Sequence, residues 1–110
     1  MRGAPKCNAL LSASKFERLV MVGAVKLQAT TGRAEVERTE LASLHISLCQ
    51  KVYGFAPTNA EHEEVVASLC LSKLLTVADS PGWLRMLVQA EDVKDMTQRV
   101  PELSSLFLHA

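Results

Sequence analysis

The sequence contains few aromatic residues and no excess of charge of either sign. Its 110 residues include one Trp, one Tyr and three Phe, whereas 48% of them are apolar, so the core must be built mainly from aliphatic side chains. This composition is typical of packed helices and argues against a β-sandwich. Basic and acidic residues balance at 12 each, so no net field attracts the chain to nucleic acid or to anionic lipid.

The sequence also lacks the motifs that indicate a membrane span, a disulfide framework or nucleotide chemistry. No window approaches the ~18 uninterrupted apolar residues of a membrane-spanning helix, and the most apolar window, 19–27, contains Lys26. Cys7, Cys49 and Cys70 are odd in number and form no C-x-x-C pair, so we expect free thiols in a reducing compartment. Because no phosphate-binding glycine loop and no H-E-x-x-H motif occurs, we predict no small-molecule substrate and no cofactor.

Three residues have the chemistry of metal ligands, but the sequence does not supply a full ligand set. His45 and Cys49 are four positions apart on one predicted helix face, and Cys70 on the next helix is a third candidate. Structural zinc takes four ligands and no fourth is evident, so we predict no metal site. We interpret His45 instead as a buried histidine whose polar edge is satisfied near small thiols. No Ser or Cys forms a distinctive triad with a His base, so we also predict no catalytic residues.

The segment between Pro57 and Pro81 carries the clearest signals of secondary structure. Thr58 and Glu61 have the spacing of a capping box, in which the Thr58 hydroxyl accepts from the Glu61 amide and the Glu61 carboxylate accepts from the Thr58 amide. Apolar residues then recur at three- and four-residue steps, as on one face of a helix. The residues of this stripe are Val66, Leu69, Cys70, Leu74 and Val77.

The two ends of this predicted helix carry further signals. At its start, acids at positions 61, 63 and 64 form either a docking patch for a basic partner or a solvated helix start, and we prefer the second interpretation because acids are common in first turns. His62 lies among these acids and is expected to be a hydrated surface residue. At its end, Asp79-Ser80-Pro81 predicts that a new helix begins, with Ser80 as N-cap and Pro81 at the first helical position.

These signals divide the chain into four main helices. The predicted helices cover residues 9–30, 33–53, the segment between Pro57 and Pro81, and 80–99, and Pro101 permits one last apolar turn over 103–108. No segment shows the sustained period-two alternation of a half-buried strand. Because short connections imply antiparallel neighbours, we predict an all-α fold, an antiparallel helical bundle with a short C-terminal turn, as a single domain over 1–110.

Two parts of the predicted bundle have alternative interpretations. Residues 1–16 contain Arg2, Lys6 and Lys15 and no acid, which is compatible with a mitochondrial targeting segment and equally with an ordinary basic first helix. Trp83, the only Trp, either plugs the end of the bundle or projects as an interface anchor. In the second case the predicted interface consists of Trp83, Leu84, Leu87, Val88 and Glu91.

Several short motifs between Thr30 and Met96 resemble a known family. They resemble the alpha-subcomplex subunit 5 family, accessory subunits of mitochondrial NADH:ubiquinone oxidoreductase, respiratory complex I. The sequence departs from the family pattern at His62-Glu63, where the family has Tyr-Arg, and it lacks the family's Trp- and Pro-rich tail. The residues that carry the likeness are Thr30-Thr31-Gly32, Glu37-Arg38, Leu44-His45, Pro57, Asn59-Ala60, Lys73-Leu74, Val77, Pro81, Leu87-Val88-Gln89-Ala90-Glu91-Asp92 and Met96.

The resemblance implies a noncatalytic accessory subunit of complex I. Such a subunit would be peripheral on the matrix side of the mitochondrial inner membrane, docked on the matrix arm of the respiratory-chain complex, and would support its assembly or stability through contacts with other protein subunits. The alternative is a free-standing helical protein-binding regulator, viral or bacterial, which could homodimerise through the face from Trp83 to Val88. An RNA-binding protein is disfavoured, because the basic residues of the second predicted helix are offset by acids.

Overall fold

The computed structural model describes residues 4–107, of which residues 4–7 are described by their helical backbone alone. Residues 1–3 of the predicted targeting segment and Leu108 of the predicted last turn lie outside this range. Within it the chain forms five α-helices, three short strands and one 3₁₀ turn. In chain order these are α1 (Ala4–Ser12), α2 (Lys15–Thr31), β1 (Glu35–Glu37), α3 (Arg38–Tyr53), α4 (Asn59–Leu71), β2 (Leu75–Val77), β3 (Trp83–Met86), α5 (Ala90–Arg99) and the 3₁₀ turn (Pro101–Leu103).

The three strands form an antiparallel sheet in the order β1–β3–β2. Leu84 of the central strand pairs with Val36 of β1 on one side and with Val77 of β2 on the other. Along β3 the side chains alternate, since Leu84 and Met86 are buried whereas Arg85 is exposed. The prediction of an all-α bundle is therefore wrong: the fold is mixed α/β, with a helical majority.

Helix α4 ends at Leu71, several residues before the end of the apolar stripe. The amide of Lys73 donates to the Cys70 carbonyl at 3.1 Å, and the amide of Leu74 donates to the Leu69 carbonyl at 3.0 Å. These are the two hydrogen bonds of a Schellman motif, which requires a left-handed residue at the position of Lys73, and Lys73 has φ 62°. Because Lys rather than Gly occupies this position, the sequence gives little sign that the helix ends there.

The predicted helix start at Ser80 is a β-turn instead. The Trp83 amide donates to the Ser80 carbonyl at 3.2 Å, with Pro81 at the second turn position and Gly82 at the third. Gly82 has φ 83°, as a type II turn requires at that position. Ser80 and Pro81 therefore close a β-hairpin and cap no helix, and the helix predicted from Ser80 begins only at Ala90.

Helix α2 forms the centre of the core. Seven consecutive residues, 19–25, are buried in it, which means that α2 has neighbours on every side rather than along one stripe. These neighbours are α3, α4, α5 and β1. At Gly23 the side chains of α3 pack directly on the α2 backbone, since an added Cβ would lie 3.4 Å from the Leu41 Cδ1.

The connectivity α2–β1–α3–α4–β2–β3, with a sheet ordered β1–β3–β2, is that of a winged helix. Helices α3 and α4 are consecutive, pack against each other and form a helix-turn-helix, and the hairpin β2–β3 that follows is the wing. Helix α5 then returns to pack on α2 and α1. None of the helices in residues 4–107 has the length and apolarity needed to cross a bilayer.

Candidate functional site

Helix α4 is held in place by hydrogen bonds at its start and in its middle. The Thr58 hydroxyl accepts from the Glu61 amide at 3.1 Å, and the Glu61 carboxylate accepts from the Thr58 amide at 2.8 Å, so the structure contains the capping box expected from the sequence. Farther along, the Ser68 hydroxyl donates to the Glu17 carboxylate of α2 at 2.5 Å. The capping box fixes where α4 begins, and the bond to Glu17 ties the Ser68 side of the helix to α2.

The two faces of α4 differ in chemistry. His62, Val66 and Leu69 point inward and are buried. The helix contains no Lys and no Arg, so its outward face is acidic and partly apolar. Leu71 is 85% exposed, more than any other large apolar side chain among the described residues. We define the outward face of α4 by its exposed residues: Asn59, Ala60, Glu61, Glu63, Glu64, Ala67 and Leu71.

One cation from a neighbouring helix lies beside this face. The Arg38 guanidinium at the start of α3 contacts the Glu63 carboxylate at 2.6 Å. Glu61 is engaged in the capping box, so Glu64 is the acid of the outward face without a described hydrogen-bond or ion-pair partner. An acidic surface repels phosphates, whereas a helix that reads the major groove presents Arg, Lys, Asn or Gln to the bases. The outward face of α4 therefore suits a basic protein segment better than DNA.

Beneath the outward face, two imidazoles join α4 to α3. His45 Nδ1 lies 2.8 Å from His62 Nδ1, and His45 Nε2 lies 3.3 Å from the Cys49 sulfur. His45 is 0% and His62 is 2% exposed. The interpretation of His45 as a buried, satisfied histidine is confirmed, whereas the expectation of a hydrated His62 is wrong.

The electrostatics of this cluster follow from burial. The pKa of His45 is lowered to about 4, first by removal from water and second by the neighbouring His62. Burial also lowers the pKa of His62, against a raising effect of Glu63, while Arg38 lowers it. Burial raises the pKa of the Cys49 thiol to about 11, so this cysteine is protonated and unreactive at neutral pH.

The histidine cluster does not converge on a metal position. His45 directs one nitrogen to His62 and the other to Cys49, so these three donors do not surround a common point. Across residues 8–107, no group of three or more His, Cys, Asp and Glu side chains has an arrangement that could hold a metal ion. Cys49 and Cys70 are both free thiols.

The structure does not gather the interface residues proposed from the sequence onto one helix. Leu84 is buried in the sheet and Val88 in the connection after it, whereas Leu87 is 40% exposed. Leu87, Val88 and Glu91 line one shallow depression. Trp83 is half-buried and lines a separate cleft, with the Arg33 guanidinium 5.3 Å above its ring.

The cleft beside Trp83 has a volume of about 420 Å³ but does not contain a convergent catalytic set. Two of its acids already have structural roles: Glu35 pairs with Arg85 at 3.3 Å, and Glu37 accepts from the Glu40 amide at 3.0 Å as the N-cap of α3. No His, Cys or Ser lines it. The lining residues are Leu27, Thr31, Arg33, Glu35, Val36, Glu37, Glu40 and Trp83.

No model of a known protein family matches the chain, and no curated protein matches it. Membership of the complex I subunit family therefore stays a prediction, as do the mitochondrial location and the absence of catalysis. The resemblance implied a helical protein and did not predict the three-stranded sheet.

Proposed function

We propose that this chain is a noncatalytic protein-interaction module of winged-helix architecture. Its outward face of α4 binds a basic, partly apolar segment of another protein. The observation that supports this most directly is the position of α4 as the second helix of a helix-turn-helix. DNA-binding proteins with this motif use that helix to read the major groove, yet here it offers carboxylates and one exposed leucine.

The energetics of such docking divide between apolar burial and charge. Burying a leucine that is 85% exposed contributes ~2 kcal/mol. The unpaired acid Glu64 attracts a basic partner and excludes acidic ones, which affects the association rate and partner choice more than the final affinity. Binding of this kind weakens as salt is added, because exposed charges are screened.

The test is partner capture by a tagged chain carrying Glu64→Lys together with Leu71→Lys. This double variant removes the free acid and the exposed leucine of α4. The matched control is Leu87→Lys with Asp95→Lys, which removes one exposed leucine and one exposed acid elsewhere. Circular dichroism checks that both variants keep the fold.

We expect proteins captured by the wild type to be retained by the control and lost by the α4 variant. The captured proteins should also dissociate as sodium chloride is raised. An α4 variant that captures the same proteins as the wild type would contradict the proposal. Loss from the control variant alone would place the interface at the depression near Leu87.

A second candidate function is binding of duplex DNA, favoured by the winged-helix arrangement itself. Lys73 is exposed at the junction of α4 and the wing, and Arg85 is exposed on the wing strand β3. Fluorescence anisotropy of a labelled 20-base-pair duplex, at 50 and 200 mM salt, tests this function. Micromolar binding that weakens in salt and is lost in Lys73→Ala with Arg85→Ala would support it, whereas no binding at either salt concentration would exclude it.

The complex I role is a narrower form of the first proposal, since an accessory subunit also needs a docking surface for its neighbours. It is motivated by the spacing from Pro57 to Pro81 and by the Gln-Ala-Glu segment at 89–91. Co-migration of the tagged chain with NADH dehydrogenase activity on native gels would support it. A chain recovered only as free monomer would refute it.

A further inference from the structure

We infer that the buried contact between His45 and His62 is an acid-sensitive latch, which holds the start of α4 against α3 and releases it when the pair takes up protons. The contacts of these two residues alone support the release of α4. Its consequence, that acid dismantles the outward face of α4 and frees a bound partner, rests on the proposed function.

The contact works only while the pair is incompletely protonated. The two Nδ1 atoms are 2.8 Å apart, so one must carry a hydrogen and donate while the other accepts. If both rings are protonated, both nitrogens are donors and both rings are positively charged. Two N–H groups then face each other and the hydrogen bond is replaced by repulsion.

The surroundings offer little compensation for that charge. From α3, His45 faces the Cys49 thiol, a weak acceptor whose own proton is held tightly. From α2, the backbone of Phe16 favours the charged form of His45. No carboxylate hydrogen-bonds to either imidazole among the described residues, and burial leaves no room for bulk water.

The charged groups nearest His62 largely offset each other. Glu63 on α4 favours the protonated imidazole, whereas Arg38 on α3 disfavours it. These two side chains contact each other at 2.6 Å, so the carboxylate is already neutralised by a cation. Relief of the buried charge therefore requires His62 to reach solvent.

His62 reaches solvent most readily by movement of the first turns of α4. It lies just after the capping box, and residues 54–58 form a connection without regular structure before it. The second half of the helix stays anchored by Leu69 and by the bond from Ser68 to Glu17. Local opening of one or two helical turns is common where a segment has few buried contacts.

The direction of the pH effect follows from linkage. Both imidazoles have folded pKa values below the ordinary value of 6.5, so the folded state binds fewer protons than the unfolded state. The stabilisation is complete above pH ~6.5 and is lost as the pH falls below it, with the His45 contribution lost as the pH falls toward about 4. The latch is closed at neutral pH and opens in acid.

Amide hydrogen exchange at pH 7.5 and pH 5.0, corrected for intrinsic rates and followed by mass spectrometry, tests the latch in the free chain. We expect peptides within 59–66 to lose at least tenfold more protection in acid than peptides within 19–25 of α2. In His62→Gln, whose neutral amide can donate to or accept from His45, we expect this difference to disappear. Equal loss in both segments, or the same loss in His62→Gln, would overturn the inference.

A second measurement serves if His62→Gln fails to fold. Imidazole titration of the wild type by nuclear magnetic resonance should show two histidines whose pKa values lie below the ordinary value of 6.5. His109→Gln identifies the signals of the third histidine, which lies outside the described residues. A second histidine that titrates near pH 6.5 would contradict the latch.

These results separate the latch from the proposed function. If acid opens α4 but the Glu64→Lys, Leu71→Lys variant captures the same proteins as the wild type, the latch stands and the docking proposal fails. If partners depend on the outward face of α4 at pH 7.5 and residues 59–66 of the free chain keep their protection at pH 5.0, the docking proposal stands and the latch fails.

Discussion

At the scale of single residues, the position of His62 within α4 decides its role. It follows the capping box directly and precedes Val66 and Leu69 by four and seven positions, which puts all three on the inner face of the helix. Its neighbours Glu61 and Glu63 are exposed. The flanking acids suggested a hydrated side chain, but the helical period was the better guide, because burial depends on the face and not on adjacent residues.

The histidine pair also predicts the pH dependence of global stability. Urea denaturation should show that the wild type loses free energy of unfolding between pH 7.5 and pH 5.0, with about 2 kcal/mol from His45, whose folded pKa is about 4, and a further loss from His62, whose pKa is also lowered. His45→Gln with His62→Gln should remove most of this dependence. A double variant that loses as much stability as the wild type over this interval would contradict the assignment.

Two glycines provide a second residue-scale prediction. Gly54 ends α3 with φ 69° and an added Cβ would meet nothing within 4 Å, so Gly54→Ala should destabilise by about 1 kcal/mol through backbone strain alone. Gly23→Ala is the control. In helix α2 an alanine has a higher helix propensity than glycine, and its Cβ would only come into van der Waals contact with Leu41. If Gly54→Ala has the same midpoint temperature of thermal unfolding as the wild type, Gly54 does not act as a left-handed cap.

At the scale of elements, the start of α4 was predictable and its end was not. The capping box is formed by two residues only three positions apart, so the sequence alone predicts it from Thr58 and Glu61. The end depends on Lys73 adopting a left-handed conformation that most residues avoid, and the apolar residues Leu74 and Val77 continue the helical rhythm into a strand. The Pro81-Gly82 pair was the available sign of a hairpin, because such pairs favour β-turns.

Thr58→Ala tests how much the capping box contributes to α4. Loss of the hydroxyl leaves the Glu61 amide without its acceptor, so we expect a loss of about 1 kcal/mol in the free energy of unfolding. Thr58→Ser keeps the hydroxyl and should restore most of that stability. If chemical denaturation shows the alanine and serine variants to be equally stable, the box does not hold the helix start.

The two leucines near the end of α4 test the assignment of its faces. Leu69 is fully buried and Leu71 is 85% exposed. Leu69→Ala should therefore cost 2 to 5 kcal/mol, roughly, from lost packing and a cavity, whereas Leu71→Ala should change stability by less than about 0.5 kcal/mol. Similar costs for both variants in urea denaturation would mean that the helix is rotated or that Leu71 is covered.

At the scale of the whole molecule, the three-stranded sheet is the feature that the sequence pattern did not predict. Val36 pairs with Leu84, a residue far along the chain, and β1 is only three residues long. A strand of three or four residues shows too few alternating positions to be told apart from a helix by its hydrophobic pattern. Which strands pair is also set by residues far apart in the sequence. The helices predicted over 9–30 and 33–53 overlap α2 and α3, but the first is interrupted at Ser14, which caps α2, and the second begins only at Arg38 after the strand β1. The arrangement of the helices as a winged helix depends on those few strand residues.

The same scale explains why the interface expected around Trp83 is divided. In a helix, Trp83, Leu84, Leu87 and Val88 would share one face, but a strand sends successive side chains to opposite faces. Leu84 consequently enters the core while Trp83 packs under Arg33. Among the residues that the structure describes, the large apolar side chain with the highest exposed fraction, Leu71, lies instead on α4, beside acids that the sequence had suggested were merely solvated.

The central claim, that α4 docks a partner through its outward face, is tested most directly by a hydrogen-exchange footprint of the complex with a captured partner at pH 7.5. We expect the amides of residues 59–71 to gain protection on binding, while those of the wing, 75–86, and of α5 do not. Protection confined to the wing or to α5, with α4 unchanged, would contradict it.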